Sequence, residues 1–394
     1  MRYHQAVHMK KLLWVIAILA PLVVLAEVFV LPPAVESRFN RTLAQPPYSA
    51  SKSAIDLHSQ LTIVDLHADS LLWGRNLLRR SSVGHVDVPR LIQGNVALQV
   101  FTVVTKIPKH LNLDRNGSDT DEVTDLAIAE AWPPSTWGSL KERALYQAHR
   151  LEDMSRESNG KLLVIRTSDD LAKFLELRRK QKGIVGALIG LEGAHALAGD
   201  VNNLDALFDA GYRLISPTHF FDNELAGSST GIRKGGLTPM GRELVRRMES
   251  RHMVIDLAHA SVATVEDVTA IATKPVLVSH TGVRGTCDNA RNLSDREIQA
   301  VAKTGGVVGI GYWRTAVCGE DARAIAKAIR HAANVGGVDH VGIGSDFDGS
   351  TTMPFDTTGL VQITDALLHE GFTDREIRLI MGENSLRVLR EVLP

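Results

Sequence analysis

Eight short apolar runs rich in β-branched residues recur along the chain, at 61–66, 95–104, 184–191, 212–217, 253–257, 275–279, 306–312 and 340–345. Runs that are apolar throughout, rather than alternating, belong to strands covered on both faces, the condition of a parallel sheet. Parallel neighbours need a crossover between them, and the intervening stretches are long enough to supply one. Residues 139–154 place Leu140, Ala144, Leu145, Ala148, Leu151 and Met154 along one helical stripe. Thr238-Pro239 opens a further helix with a capping hydroxyl and a first-turn proline. Eight βα units predict an α/β fold, a (β/α)8 TIM-type barrel over 54–394. An open doubly wound sheet is the alternative arrangement. The irregular stretch 106–137, with Asn116-Gly117 and Pro133-Pro134, predicts a loop insertion over one barrel end rather than a second domain.

Composition removes several classes of function. Apolar residues are 44% and charged residues 23% of 394, enough for a sizeable core. With 44 Lys+Arg against 45 Asp+Glu, the net charge of -1 gives no footprint for nucleic acid. Two cysteines, Cys287 and Cys318, are too few for a disulfide scaffold or a thiolate zinc module, and leave room for one bridge in an oxidising compartment. At the amino terminus Arg2, Lys10 and Lys11 precede an apolar run over 12–31, broken only by Pro21 and Glu27. Its length approaches the ~20 residues of a membrane span, and the positive flank keeps its start in the cytoplasm. Val24-Leu25-Ala26 offers a signal-peptidase site, whereas the continuation 28–31 favours an uncleaved anchor. Residues 1–35 are therefore expected to be an anchor or signal peptide, and the polar stretch 36–53, with Pro46-Pro47, a tether. Either fate delivers the rest of the chain to the periplasmic or extracellular side, membrane-anchored or, after cleavage, secreted.

Polar residues fall where the apolar runs end. His67 and Asp69 close the first run and, two apart in an extended chain, share a face. Glu192, His219, His259, His280 and Asp346 close five others. A lone His-x-Asp also suits a strand end with a capping aspartate, and His85-Val86-Asp87 is read that way, Asp87 capping the helix that opens at Val88-Pro89. The carboxyl ends of barrel strands converge on one mouth, so side chains spread over the whole chain would meet there. Histidine and carboxylate donors without thiolate suit Zn2+, with Mn2+, Co2+ and Fe2+ as competitors. Five candidate ligands, His67, Asp69, Glu192, His259 and His280, exceed the need of one catalytic zinc, so a pair of ions bridged by Glu192 is expected.

The run Asp65-Leu66-His67-Ala68-Asp69, then Gly190-Leu191-Glu192-Gly193, Ser216-Pro217-Thr218-His219, Gly236-Leu237-Thr238-Pro239-Met240-Gly241, Asp256-Leu257-Ala258-His259, Ser279-His280, 288–292, Gly342-Ile343-Gly344-Ser345-Asp346-Phe347-Asp348-Gly349 and a closing Gly382-Glu383-Asn384-Ser385 appear in order. As an ordered set from about residue 61 to the end they resemble the membrane (renal) dipeptidase family, the M19 metallopeptidases. The resemblance implies a metallo-dependent hydrolase-like barrel with two Zn2+ ions that cleaves dipeptides, including those with a carboxyl-terminal D-residue. It implies that His67 and Asp69 hold one zinc, that His259 and His280 hold the other, and that Glu192 bridges. It further implies that His219 is a substrate-side histidine, Asp346 the acid/base carboxylate and Arg291 the clamp on the substrate carboxylate, in a chain that dimerises. Leu66 and Ala68 stand where relatives often carry Gly and Asn, and Phe220-Phe221-Asp222-Asn223 replaces the commoner turn after His219; these departures bear on substrate preference, not on the ligands.

In that scheme a hydroxide bridging the two ions attacks the peptide carbonyl. Asp346, rather than the neighbouring Asp348, moves the proton to the leaving amine, and His219 steadies the oxyanion. A different binuclear amidohydrolase, such as a lactonase, a β-lactam-opening enzyme or a deaminase, would share the barrel but not need Arg291. A non-catalytic exported binding protein would not need Asp346 beside five ligands.

Overall fold

Nine strands form one parallel sheet in the computed structural model, which describes residues 31–394. They are β1 Ile63–Ala68, β2 Val96–Val104, β3 Leu162–Val164, β4 Val185–Glu192, β5 Tyr212–Ile215, β6 Val254–Ile255, β7 Leu277–Thr281, β8 Val307–Ile310 and β9 Val341–Ile343. Eight of them coincide with the eight apolar runs, and every residue of these eight is buried, as expected for strands covered on both faces. The hydrogen-bonded order is β6-β5-β4-β2-β1-β9-β8-β7, with β3 paired to β4 off this path. The two ends of the path approach one another, since the Leu257 amide donates to Leu277 O at 2.7 Å and Asp256 bridges Leu277 in parallel. The strands thus curl in the order of a TIM-type barrel, and in that order β2 and β7 lie across from each other.

Most of the strands are shorter than the runs that foretold them. At 340–345 the ladder stops at Ile343 because Gly344-Ser345 turns onto the rim, where Ser345 bonds the Asp65 carboxylate. The extra strand β3 has only three residues, too few for an apolar run to stand out. The insertion at 106–137 is not wholly irregular. Asp121 caps a helix over Glu122–Ala129, accepting from the Val123 amide at 3.0 Å. Val123, Ala127 and Trp132 form a small core with Leu72, Trp73 and Val104 beside the barrel mouth.

The amino-terminal expectation needs correction over its described part. Residues 1–30, which carry the apolar run, lie outside the described residues, and no described helix is long and apolar enough to cross a membrane. The stretch 36–53 does not run free as a tether. A helix over Leu31–Phe39 lies on the barrel with Glu36 buried and held by Arg75 Nε at 2.5 Å. Beyond it the Ser350 amide donates to Asn40 Oδ1 at 2.9 Å, the Leu43 amide donates to Met353 O at 2.9 Å, and Tyr48 meets Phe355 edge-on. The polar composition is real, but part of its hydrogen bonding goes to Arg75 and to loop 346–356.

Cys287 and Cys318 are bridged, with Cα atoms 5.2 Å apart. The bridge joins the loop after β7, which carries Arg291, to the loop after β8, which carries Trp313. Asn289 Nδ2 donating to Thr315 O at 2.8 Å and Asn292 Nδ2 donating to Ala316 O at 2.9 Å run beside it. A cross-link spanning 31 residues constrains the unfolded chain by roughly 3–4 kcal/mol. The double substitution Cys287→Ser/Cys318→Ser is expected to lower unfolding stability by about that amount in urea titration; a loss below about 1 kcal/mol would show the bridge to be idle.

Candidate active site

The seven side chains read from strand ends meet at one place. His67 lies on β1 and Asp69 directly follows it, Glu192 ends β4, His219 and His259 follow β5 and β6, His280 lies on β7, and Asp346 follows β9. All are buried. Glu192 is the hub. Its Oε1 is 2.8 Å from His259 Nε2, 3.4 Å from His280 Nε2 and 3.7 Å from His67 Nε2, while Oε2 is 3.0 Å from His219 Nε2. His67 Nε2 is also 3.4 Å from Asp69 Oδ1 and 4.0 Å from Asp346 Oδ1. Arg291, buried in the loop after β7, donates from Nη2 to His280 O at 3.0 Å and lines the same cavity.

Strained backbone delivers two of these groups. His259 (φ 62°) and Asp346 (φ 64°) occupy the left-handed region, which costs a non-glycine residue about 1–3 kcal/mol and persists where surrounding bonds over-determine it. The Asp346 amide donating to His67 O at 3.2 Å is one such bond. Past Glu192 the chain turns at once through Gly193 (φ 92°), where a Cβ would lie 2.3 Å from the His195 ring.

The supporting residues were not read from the sequence. Ser279 Oγ donates to Asp256 Oδ2 at 2.7 Å, and lies 3.0 Å from His67 Nδ1 and 3.1 Å from His280 Nδ1. With its proton committed to Asp256, the hydroxyl accepts from both rings. That orients each histidine with Nδ1 donating to the serine and Nε2 turned into the site. Asp256 is itself held by the amides of Ala258 and Ser279, at 3.0 and 2.7 Å. On the other side Thr102 Oγ1 donates to Asp69 Oδ1 at 2.6 Å, and Ser345 Oγ donates to Asp65 Oδ2 at 2.6 Å. The only trace of this layer in the sequence is a serine directly before His280 and before Asp346.

The electrostatics ask for added positive charge. Burial opposes ionisation of Glu192, yet the imidazoles of His219, His259 and His67 hold its carboxyl well below the usual range. Burial likewise opposes protonation of His67, but Asp69, Glu192 and Asp346 lift it to about 10. Burial keeps His259 and His280 well below their ordinary value, so both rings are neutral and each keeps one nitrogen lone pair. Burial, with Asp69 and Glu192 nearby, pushes the Asp346 carboxyl well up. His67 Nε2, His219 Nδ1 and His259 Nδ1 are buried without a hydrogen-bond partner. Three donor sets, His67/Glu192/His280, Glu192/His219/His259 and His67/Asp69/Asp346, each gather their ligand atoms within 4.8 Å. Converging lone pairs, crowded carboxylates and orphaned buried atoms fit a metal centre.

Other candidates have structural work. Asp87 caps the helix Val88–Gln93, accepting from the Arg90 amide at 2.9 Å, as its sequence position suggested. Asp348, the rival of Asp346, is buried away from the cavity and saturated by Ser70 Oγ at 2.6 Å, Arg75 Nη2 at 2.7 Å and the His85 amide at 2.5 Å. His195 pairs with Thr105 Oγ1 at 3.0 Å.

Comparison with known proteins adds to this geometry. The family described as Membrane dipeptidase (Peptidase family M19) matches residues 51–393. The chain belongs to that family. It is 28% identical over 322 residues to "Dipeptidase tcpJ" of Claviceps purpurea (strain 20.1), covering 78% of this chain and 69% of that protein. A metallo peptidase from Rhodobacter sphaeroides, solved with a phosphinate mimic of the dipeptide L-Ala-D-Ala, superposes with a TM-score of 0.70 at 25% identity, over 84% of this chain and 99% of that one. The probable dipeptidase PvdM from Pseudomonas aeruginosa shares the fold, with a TM-score of 0.73 at 20% identity over 87% and 98% of the two chains. As a family member the protein is a metallo-dipeptidase, a hydrolase of peptide bonds.

Because one hydroxyl orients two of its histidines, the centre depends on Ser279. Ser279→Ala is expected to weaken metal affinity roughly 10- to 100-fold, the usual cost of losing such a partner. Competition with a chromophoric chelator measures it; an unchanged affinity would refute the orienting role.

Proposed function

We propose that this metallo-dipeptidase works with two zinc ions and hydrolyses dipeptides with a free carboxyl terminus, including those ending in a D-residue. The observation that carries the reading is the convergence of the seven strand-end side chains, four of them histidines on Glu192, with the buried Arg291 beside them. His67 and Asp69 would hold one ion, His259 and His280 the other, with Glu192 between them. The ions, when bound, would supply the nucleophile by lowering the pKa of water from ~15.7 to about 7.

The chain's own groups do the rest. Arg291 is anchored by His280 O, and although burial works against its charge, Glu192, Asp346 and Asp256 sustain it. A planar guanidinium so held grips a carboxylate through two parallel bonds and fixes the register of a short substrate. Asp346 lines the cavity beside His67, where its carboxylate is placed to take a proton from water and return it to the leaving amine. His219 faces the same space and supplies a donor for the oxyanion. The bound phosphinate mimic of L-Ala-D-Ala in the Rhodobacter protein supports the stereochemical part of the reading. The amino-terminal apolar run and the Cys287–Cys318 bridge both support a catalytic region outside the cytoplasm.

Chelation should abolish hydrolysis of L-Ala-L-Ala and L-Ala-D-Ala, and Zn2+ should restore it; turnover that survives complete metal removal refutes the metal reading. Glu192→Ala is expected to lose metal and turnover together, and turnover in a metal-poor variant would contradict the bridging role. Arg291→Met should lower kcat/KM for dipeptides at least about 30-fold, the equivalent of ~2 kcal/mol for a lost charged partner. An enzyme that opens lactones, ignores dipeptides and tolerates this substitution would be a different amidohydrolase.

A further inference from the structure

The cavity above the metal centre, about 760 Å³, extends well beyond the seven polar groups, and its far wall is apolar. That wall is built from the helix Leu31–Phe39, through Val35 and Phe39, and from the insertion after β2, through Leu111, Leu113, Val123 and Leu126. Phe39, Leu111 and Leu113 are 48%, 43% and 36% exposed, so three of the large apolar side chains that this protein leaves in water face one cavity. Three charged residues also line the wall, Lys109, Glu122 and Asp125, of which Lys109 and Asp125 are paired with each other at 2.8 Å. The wall is preformed, since Val123 packs with Leu72, Trp73 and Trp132, and Val35 and Leu126 pack against that cluster.

Topology tells which end of a substrate meets this wall. Arg291 follows β7, and the insertion follows β2, its opposite in the strand order. A dipeptide whose carboxylate sits on Arg291 and whose peptide bond lies over Glu192 therefore directs its amino-terminal residue toward the apolar side. The Leu31–Phe39 helix is pinned there by an ionic chain, Glu36 to Arg75 at 2.5 Å and Arg75 to Asp348 at 2.7 Å, which ends two residues past Asp346.

We propose that this wall is the specificity pocket for the amino-terminal side chain of the substrate, selecting dipeptides that begin with a large apolar residue, and that the helix preceding the barrel forms one side of it. The inference rests on the dipeptidase reading and on Arg291 as the carboxylate clamp. Glu36 is a positioning residue in this scheme, acting through the helix that carries Val35 and Phe39.

The test is kcat/KM of the zinc-loaded full chain on X-Ala dipeptides with X as Gly, Ala, Leu, Phe, Asp or Lys. Leu-Ala and Phe-Ala are expected to exceed Gly-Ala by about 10-fold or more, with Asp-Ala and Lys-Ala below them, since filling an apolar pocket discriminates on that scale. Phe39→Ser and Leu126→Ser should each cut the Phe-Ala to Gly-Ala ratio by about 5-fold or more. Glu36→Gln should lower the same ratio mainly through KM, whereas a merely structural loss would lower turnover of all substrates alike. Phe39 is half exposed, so its substitution leaves folding intact and keeps the test decisive. A flat profile, a preference for small or charged X, or ratios unmoved by all three variants overturns the pocket while leaving the dipeptidase reading standing. A flat profile in which Phe39→Ser alters only self-association assigns the wall to a second copy of the chain and also overturns it. Failure to hydrolyse any dipeptide overturns the dipeptidase reading, and the pocket with it.

Discussion

The whole centre turns on one carboxylate. Glu192 is buried at the end of β4 with four imidazoles around its two oxygens, an arrangement that is tolerable only because opposing charge is close by. Every other feature of the mouth serves to keep those partners in place. The sheet brings β1, β4 and β7 to the same level, the strained backbone at His259 and Asp346 aims two groups inward, and the Ser279–Asp256 pair fixes the rings of His67 and His280. Stability has been traded for geometry here, in the way expected of a site that must hold cations.

Much of this was legible in the residue string, for a definite reason. A parallel strand must be apolar along its length, so a histidine or carboxylate where such a run stops has no packing explanation, and repeated stops of that kind imply a shared rim. His67, Glu192 and His280 were visible on those grounds. Asp256 and Ser279 were not, although they lie beside visible residues, because serine and aspartate are ordinary at strand ends and their partnership spans β6 and β7. Only the fold makes them neighbours.

The region before the barrel shows the opposite failure. Its polarity suggested a solvated linker, but composition reports how many hydrogen bonds a segment needs, not whether water or protein provides them. Glu36, Asn40 and Tyr48 spend theirs on Arg75, Ser350 and Asp356. The insertion at 106–137 follows the same logic, since a stretch without periodicity still folds when three of its side chains, Val123, Ala127 and Trp132, find a small core of their own.

The Ser279 hydroxyl ties two histidines of the site to one oxygen. On the proposed division of ligands, His67 belongs to one ion and His280 to the other, yet both rings take their orientation from a single oxygen. That oxygen is itself fixed by Asp256, so whatever displaces the serine misaims both rings at once.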